Sequence, residues 1–229
     1  MIDKLWFNEG GQSISGKLIE YLITNHPYYL MKLTKEEQKN VFNLLNQKLK
    51  DIENYHQITK NLNIYPDFHG NRSPLSNPTL KGMICGLELN QYEKFDDFLI
   101  FYLSIIQSIC YSTKHIIEEM NKKGHQINSI YICGGLSKNE IFVQEIANVT
   151  TFPVYVSNEN EIMILGASIL ASVASKQHEN IFDAMKKMSS IGGIFKANED
   201  TFKFHEKKFK IYLEMYKDQM KYQNIMNED

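Results

Sequence analysis

An α/β domain with a mixed central sheet and helices on both faces is predicted, and three observations predict it. The first is the run Ile130-Tyr131-Ile132-Cys133-Gly134-Gly135, four strand-prone residues ending on two glycines. A helix follows, with Ser137 as its cap and Glu140 three positions on to close a capping box. The second is that the pattern repeats. Strand Ile130–Cys133, helix Lys138–Val149, strand Pro153–Ser157 and helix Glu159–Ser175 make a β-α-β-α unit. The third is an apolar helical period through positions 95, 98, 99, 102, 105, 106, 109, 116, 117 and 120.

The remaining elements follow in chain order. Leu5-Trp6-Phe7 reads as a short apolar strand, Asn8 to Ser13 as a Gly-bearing turn, and Ser15 to Thr24 as a helix. Thr34 and Glu37 form a second capping box, opening a helix to about Glu53 with Val41, Leu44, Leu45, Leu49 and Ile52 on one face. Ile64 to Pro78 is punctuated by Pro66, Gly70, Pro74 and Pro78 and reads as loop, and Thr79 to Leu87 as a strand interrupted by Gly82 and Gly86. Asn90 and Glu93 open the longest helix, which stops at Lys122-Lys123-Gly124, a cationic last turn and a C′ glycine. At roughly 30 residues it is about 45 Å long, and Phe95–Lys123 is expected to pack along one face of the sheet. Ile130–Cys133 is expected inside that sheet, not at a solvent-exposed edge. The Glu159–Ser175 helix is rich in small residues (Gly166, Ala167, Ser168, Ala171), which lets it approach a sheet or ligand closely. Ile181–Met188 is a short helix, and Phe202–Asn224 a terminal amphipathic one with Phe209, Tyr212, Leu213, Tyr216 and Met220 on one stripe.

Composition narrows the function classes. The 229 residues suit one large domain, and the 43% hydrophobic content is that of a globular protein. Lys plus Arg is 25 against 27 Asp plus Glu, a net charge of −2, so no excess positive charge is available for a nucleic-acid backbone. The 3 cysteines, Cys85, Cys110 and Cys133, lie far apart in apolar runs and read as buried reduced thiols, not as bridges or a metal set. The longest apolar stretch, Phe98 to Ile106, is too short to cross a bilayer, and the start has no signal-peptide core. A cytoplasmic protein with neither nucleic-acid nor membrane partner is the expectation. The 7 histidines have no metal-ligand spacing, and neither a Gly-x-Ser-x-Gly elbow nor a P-loop is present. The lysines of the terminal helix alternate with Glu206, Glu214 and Asp218, as on a solvated face.

Three places carry candidate chemistry. Gly134 and Gly135 leave bare backbone against which a flat ligand can lie, and the helix N-terminus beyond them favours phosphate or a nucleotide's polar edge. A tight turn that binds nothing is the alternative. In the loop 66–74, Asn71 and Arg72 could hold hydroxyls or phosphate with forked geometry, or could instead satisfy the loop's own backbone. Glu9 and Gln12 flank two glycines, an arrangement suited to a polyol and equally to a capped turn.

Taken together, Asn8-Glu9-Gly10-Gly11-Gln12-Ser13, Phe68-His69-Gly70-Asn71-Arg72-Ser73-Pro74 with Lys81-Gly82-Met83, and Cys133-Gly134-Gly135-Leu136-Ser137-Lys138-Asn139 resemble the FGGY family of carbohydrate kinases, and within it the D-ribulokinase-like group. The resemblance runs from Trp6 to the last residues and implies an actin-like ATPase (ribonuclease H-like) fold. It identifies residues 1–229 as a single C-terminal domain, with a helical insertion at 25–60 and a C-terminal helix at 200–229. A family member has a further N-terminal domain, with an Asp-x-Gly-Thr phosphate loop and the aspartate that takes the sugar's proton. That motif does not occur here, so no catalytic residue is assigned to this chain. By resemblance Gly134, Gly135, Ser137 and Asn139 bind the nucleotide, the start of the Ile162–Ser175 helix closes its pocket, and Glu9, Gln12, Asn71 and Arg72 face the sugar. ATP and Mg²⁺ are the implied cofactors, the metal held mainly by ATP and by first-domain carboxylates. The implied partners are the sugar and the N-terminal domain of the same kinase, with a second copy of the chain as a further candidate. The implied activity is phosphorylation of a pentulose such as D-ribulose. A non-catalytic nucleotide-binding module and an interaction protein that kept the fold are the alternatives.

Overall fold

In the computed structural model, which describes residues 7–88, 94–159 and 161–228, the apolar period becomes one helix, α5 (Phe95–Lys122). Asp96 and Asp97 in its first turn and Lys122 in its last complement the helix dipole. From Phe98 to Ser112 nearly every side chain is buried, polar ones included, so this stretch is enclosed on all sides. Helices α1 (Gly16–Thr24), α4 (Val41–Lys50), α6 (Glu140–Thr150) and α9 (Phe202–Met226) surround it. They contribute Leu18, Leu45, Val143 and Phe209, among others, to one continuous apolar core.

Two sheets flank this helical centre. β1 (Asn63–Tyr65) pairs antiparallel with β2 (Met83–Cys85), with Ile64 opposite Ile84. β3 (Ile130–Ile132) runs parallel to β4 (Val154–Ser157), and β4 pairs antiparallel with β5 (Ile191–Phe195), giving the order β3-β4-β5. The sheet is mixed, and the strand β5 is an addition to the predicted set. Its inner face, Ile130, Ile132, Val154, Val156 and Phe195, packs toward α6 and the core. Across its outer face stand α7 (Ile162–Ala174) and α8 (Ile181–Met188).

Several expectations need correction. Among the described residues β3 lies at the end of the sheet, not within it, with Tyr131 72% exposed. Helix α5 packs on α6 and β1, because the crossover helix α6 already covers the sheet's inner face. The helix predicted from Thr34 to Glu53 is two. Its capping box forms as expected around α3 (Lys35–Lys39), but Asn40 leaves helical geometry at φ −110°, ψ 16°. The Asn40 amide donates to the Glu36 carbonyl oxygen at 3.4 Å, a local bond that competes with helix continuation. A further helix of the 25–60 segment, α2 (Pro27–Lys32), not placed individually from the sequence, precedes it, with Pro27 in its first turn and His26 accepting from the Tyr28 N–H. The strand at 79–87 shortens to β2, between flanking irregular residues, and of the three cysteines only Cys110 is buried, Cys85 and Cys133 being exposed at strand ends. Of the strand Leu5–Phe7, Leu5 and Trp6 lie outside the described residues, as do Asn90 and Glu93, and Phe7 is exposed and irregular.

Candidate functional site

The turn between β3 and α6 is shaped by Gly134, whose φ of 82° and ψ of −166° place it in a region open essentially to glycine alone. Gly135 to Lys138 then form a single 3-10 turn, and α6 begins at Glu140. The helix cap is Asn139, not Ser137. Asn139 Oδ1 accepts from the Phe142 N–H at 3.1 Å, while the Ser137 hydroxyl donates back to the Gly134 carbonyl at 2.7 Å. Glu140 does not close a capping box and pairs instead with Lys50 of α4.

A chain of hydrogen bonds fixes this turn to the helices beside it. Asn139 Nδ2 donates to the Tyr102 hydroxyl at 2.8 Å, and that hydroxyl donates to Asn46 Oδ1 at 2.8 Å. Tyr102 is fully buried, and burial pushes its pKa upward, so it stays a neutral donor. Both ends of the Asn139 side chain are thus committed to positioning the turn.

What the turn presents outward is bare backbone. A Cβ built on Gly134 or on Gly135 would meet no atom within 4 Å. Gly135, Leu136 and Lys138 form one wall of a groove of about 310 Å³, and Ile19 of α1 with Phe42 and Asn46 of α4 form the other. Gly16 of α1 lies beside Leu136, where a Cβ would make ordinary contact at 3.6 Å. Ile19 and Phe42 give the groove an apolar and aromatic part, Glu20, Asn43 and Asn46 add polar groups, and the turn contributes open main chain ahead of α6. Phe42, Asn43 and Asn46 were not singled out from sequence, because they lie far upstream on a helix read only for its buried stripe. The start of α7 does not line this groove. Ile162, Leu165 and Gly166 instead border a second one, of about 600 Å³, with Tyr131, Cys133 and Tyr155.

Glu9, Gln12, Asn71 and Arg72 gather elsewhere along α5. Arg72 Nη2 donates to Glu9 Oε1, and both side chains are largely exposed. Gly10 lets the segment press on α5, because its Cβ would sit 2.7 Å from Ile116 Cγ2. Gln12 Nε2 donates to the Ile109 carbonyl at 2.8 Å and to Thr113 Oγ1 at 3.1 Å, tying the segment down. Asn71 is buried, donating to Asp67 Oδ2 at 2.8 Å and accepting from the Leu75 N–H at 2.9 Å. Burial raises the Asp67 pKa, and the bond from Asn71 opposes the shift. Glu9 and Arg72 therefore point outward, whereas Gln12 and Asn71 hold the loops. Ile109 and Thr113, the partners of Gln12, lie 7 and 11 positions beyond Tyr102, about 10 to 17 Å along the axis of α5.

One buried group was missed from sequence. Glu145 lies on the apolar stripe of α6 with its carboxylate 0% exposed and 3.8 Å from His205 Nε2. Burial lifts its pKa to about 7 and lowers that of His205 to about 3. A charged residue among Ile141, Phe142, Ile146 and Val149 was the available signal. Among the described residues no cluster of His, Cys, Asp or Glu is arranged to hold a metal ion, and no helix is long and apolar enough to cross a membrane.

The turn thus joins a strand running into bare glycine backbone to a helix capped by Asn139, with Phe42 among the residues lining the groove beside it. The chain belongs to the FGGY family of carbohydrate kinases, matching the model of its C-terminal domain over residues 1–175. It is 42% identical over 231 residues to the FGGY carbohydrate kinase domain-containing protein of Xenopus laevis, a match covering 99% of this chain and 42% of that protein. It is 30% identical to a D-ribulokinase of Saccharomyces cerevisiae, covering 88% of the chain and 28% of the enzyme. Among solved structures, the xylulose kinase of Rhodospirillum rubrum superposes with a TM-score of 0.71 at 14% identity, over 93% of this chain and 40% of that one, and it shares the fold. The chain thus spans less than half the length of the curated relatives it matches.

Proposed function

We propose that these residues form the nucleotide-binding half of an ATP-dependent carbohydrate kinase acting in the cytoplasm on a pentulose such as D-ribulose. The observation that carries the reading is the Gly134–Gly135 turn, which leaves open space where every other residue type would place a side chain. ATP supplies the phosphoryl group to be transferred. Gly135 lines the groove and lets the adenosine lie against main chain, Gly134 gives the turn the shape that exposes it, Phe42 and Ile19 line the groove with it, and the Ser137 hydroxyl braces the turn. Asn139 acts as a positioning residue through Tyr102 and Phe142. Glu9, released from Arg72, accepts from sugar hydroxyls, and the Arg72 guanidinium lines the same mouth. The donor set for Mg²⁺ does not fit within the described residues, so no step is assigned to the metal here. The N-terminal domain carried by longer family members is the partner that brings the base, and general-base assistance is worth on the order of 10² to 10⁴ in rate.

The reading is tested in the longer protein by phosphoryl transfer from ATP to D-ribulose. Glu9→Ala is expected to raise the KM for the sugar well above any change in the KM for ATP, and Asn139→Ala to do the reverse. The 229-residue chain alone is expected to give no turnover. Equal effects of Glu9→Ala on both substrates, or turnover by the isolated chain above a no-enzyme blank, contradict the assignment.

A further inference from the structure

The loop that carries Arg72 is closed on itself. Its two arms, 68–72 and 77–82, are drawn together at three places. The Asn71 N–H donates to the Asn77 carbonyl at 2.8 Å. Gly70, at φ 73°, passes so near the other arm that a Cβ would lie 2.9 Å from Pro78 Cα. Gly82 lies under the Phe68 ring, into which any Cβ would run. A displacement of one arm is therefore a displacement of the other, and of Arg72 with it.

This closed loop is then held by α9, far downstream in the chain. Gln219 grips Lys81 with both ends of its amide. The Lys81 N–H donates to Oε1 at 2.6 Å, and Nε2 donates to the Lys81 carbonyl at 2.7 Å. One turn on, Gln223 accepts from the Thr79 hydroxyl at 3.2 Å and donates to the Thr79 carbonyl at 3.3 Å. Gln219 is buried, on the inner face of α9 that also presents Lys208, Tyr212 and Met215. A buried amide is unfavourable unless its donor and acceptor are both satisfied, and here the main chain of the loop satisfies them. The same face is anchored to the start of the loop. Lys208 Nζ donates to the Thr59 and Leu62 carbonyls at 2.8 and 2.7 Å, and the Tyr212 ring lies 5.0 Å from that of Tyr65, the last residue of β1. Helix α9 lies beyond residues 1–175, over which the chain matches the family model.

We propose that Gln219 is a positioning residue for the sugar: α9 straps down the 66–82 loop and so places the Arg72 guanidinium beside Glu9. The inference rests on the reading that Glu9 and Arg72 face the sugar. Gln219 acts through Lys81 and the Asn77–Asn71 bond, and Gln223 supports it at Thr79. Loss of the strap lets Arg72 move relative to Glu9 while the Gly134–Gly135 groove keeps its shape.

The test uses the longer protein with D-ribulose and ATP. Gln219→Met keeps the length and packing of the side chain but makes neither bond to Lys81. It is expected to raise the KM for D-ribulose on the order of tenfold, the scale of one net hydrogen bond, with the KM for ATP unchanged. A merely destabilised enzyme loses active molecules and moves neither KM. Gln223→Ala, at a half-buried position, gives the same split at smaller size and carries the test should Gln219→Met not fold. Hydrogen–deuterium exchange of the same proteins without substrate, read by mass spectrometry, is expected to be about tenfold faster in peptides covering 66–82 and unchanged over 134–145. Unchanged exchange at 66–82, or a loosened loop with an unchanged sugar KM, overturns the proposal. Glu9→Ala in the same assay keeps the two claims apart. If it raises the sugar KM and the α9 variants do not, the positioning role alone falls; if it spares the sugar KM, the reading of the sugar site fails and this inference with it.

Discussion

Replacing Gly135 by valine separates binding from folding. Gly135 has no positive φ, and a Cβ there meets nothing within 4 Å. A side chain is thus accommodated without strain, and loss of glycine's freedom in the unfolded state favours folding by about 0.4–1 kcal/mol. The melting temperature of Gly135→Val is therefore expected to match or slightly exceed that of the parent. Binding responds differently. An isolated half-site is expected to hold ADP at high micromolar to millimolar Kd, about −4 to −6 kcal/mol. A branched side chain lifts the ring off the main chain. The loss is on the order of ten to twenty atom contacts at ~0.1–0.2 kcal/mol each, about 2 kcal/mol in all, or roughly thirtyfold in Kd. Titration calorimetry with ADP then gives no measurable heat for the variant. Gly134→Ala is the counterpart: its φ of 82° makes any side chain strained, and about 1–3 kcal/mol of stability should be lost although no neighbour is struck. If Gly135→Val binds ADP as tightly as the parent while remaining folded, the nucleotide does not lie on this turn.

Two further outcomes follow from the buried polar groups. Tyr102→Phe removes the hydroxyl joining Asn139 to Asn46, leaving polar atoms without a partner, and should cost about 1–3 kcal/mol in urea unfolding while weakening ADP binding through the loosened turn. Glu145 has a folded pKa raised from 4.5 to about 7 by burial. Between those values the unfolded carboxyl has released its proton while the folded one retains it, so this group's contribution to stability falls as pH rises through the window. Glu145→Gln removes the term. From pH 5 to pH 8 its stability relative to the parent should therefore rise by about 2–3 kcal/mol, and a difference that stays constant with pH contradicts the buried, protonated assignment.

Much of this architecture was legible because local and global signals agreed. The period of α5, the β3-α6-β4 unit, the Thr34–Glu37 capping box and the short helix α8 all form where the pattern placed them. Failures occurred where a single residue outweighed the pattern. Asn139 caps α6 ahead of Ser137 because Ser137 bonds back to Gly134, and Asn40 divides a helix that the apolar stripe of Val41, Leu45 and Leu49 had merged into one. Strand β5 was hidden by its two glycines, which carry no strand propensity. The groove's second wall was illegible for a different reason. Phe42 and Asn46 meet the Gly135 turn only through tertiary packing of α4 beside α6, which no local spacing records. The paired roles of Glu9 with Arg72 and of Gln12 with Ile109 are likewise products of how the 9–16 segment lies along α5.

The central claim, that the turn and its facing helix form the nucleotide seat, is tested most directly by mapping amide chemical shifts of the chain during ADP titration. The account predicts the largest changes at Gly134, Gly135, Ser137 and Lys138, with accompanying changes at Phe42, Asn43 and Asn46 across the groove. Changes confined to the Tyr131–Tyr155 face and α7, with the Gly134–Lys138 amides unmoved at saturation, would contradict it.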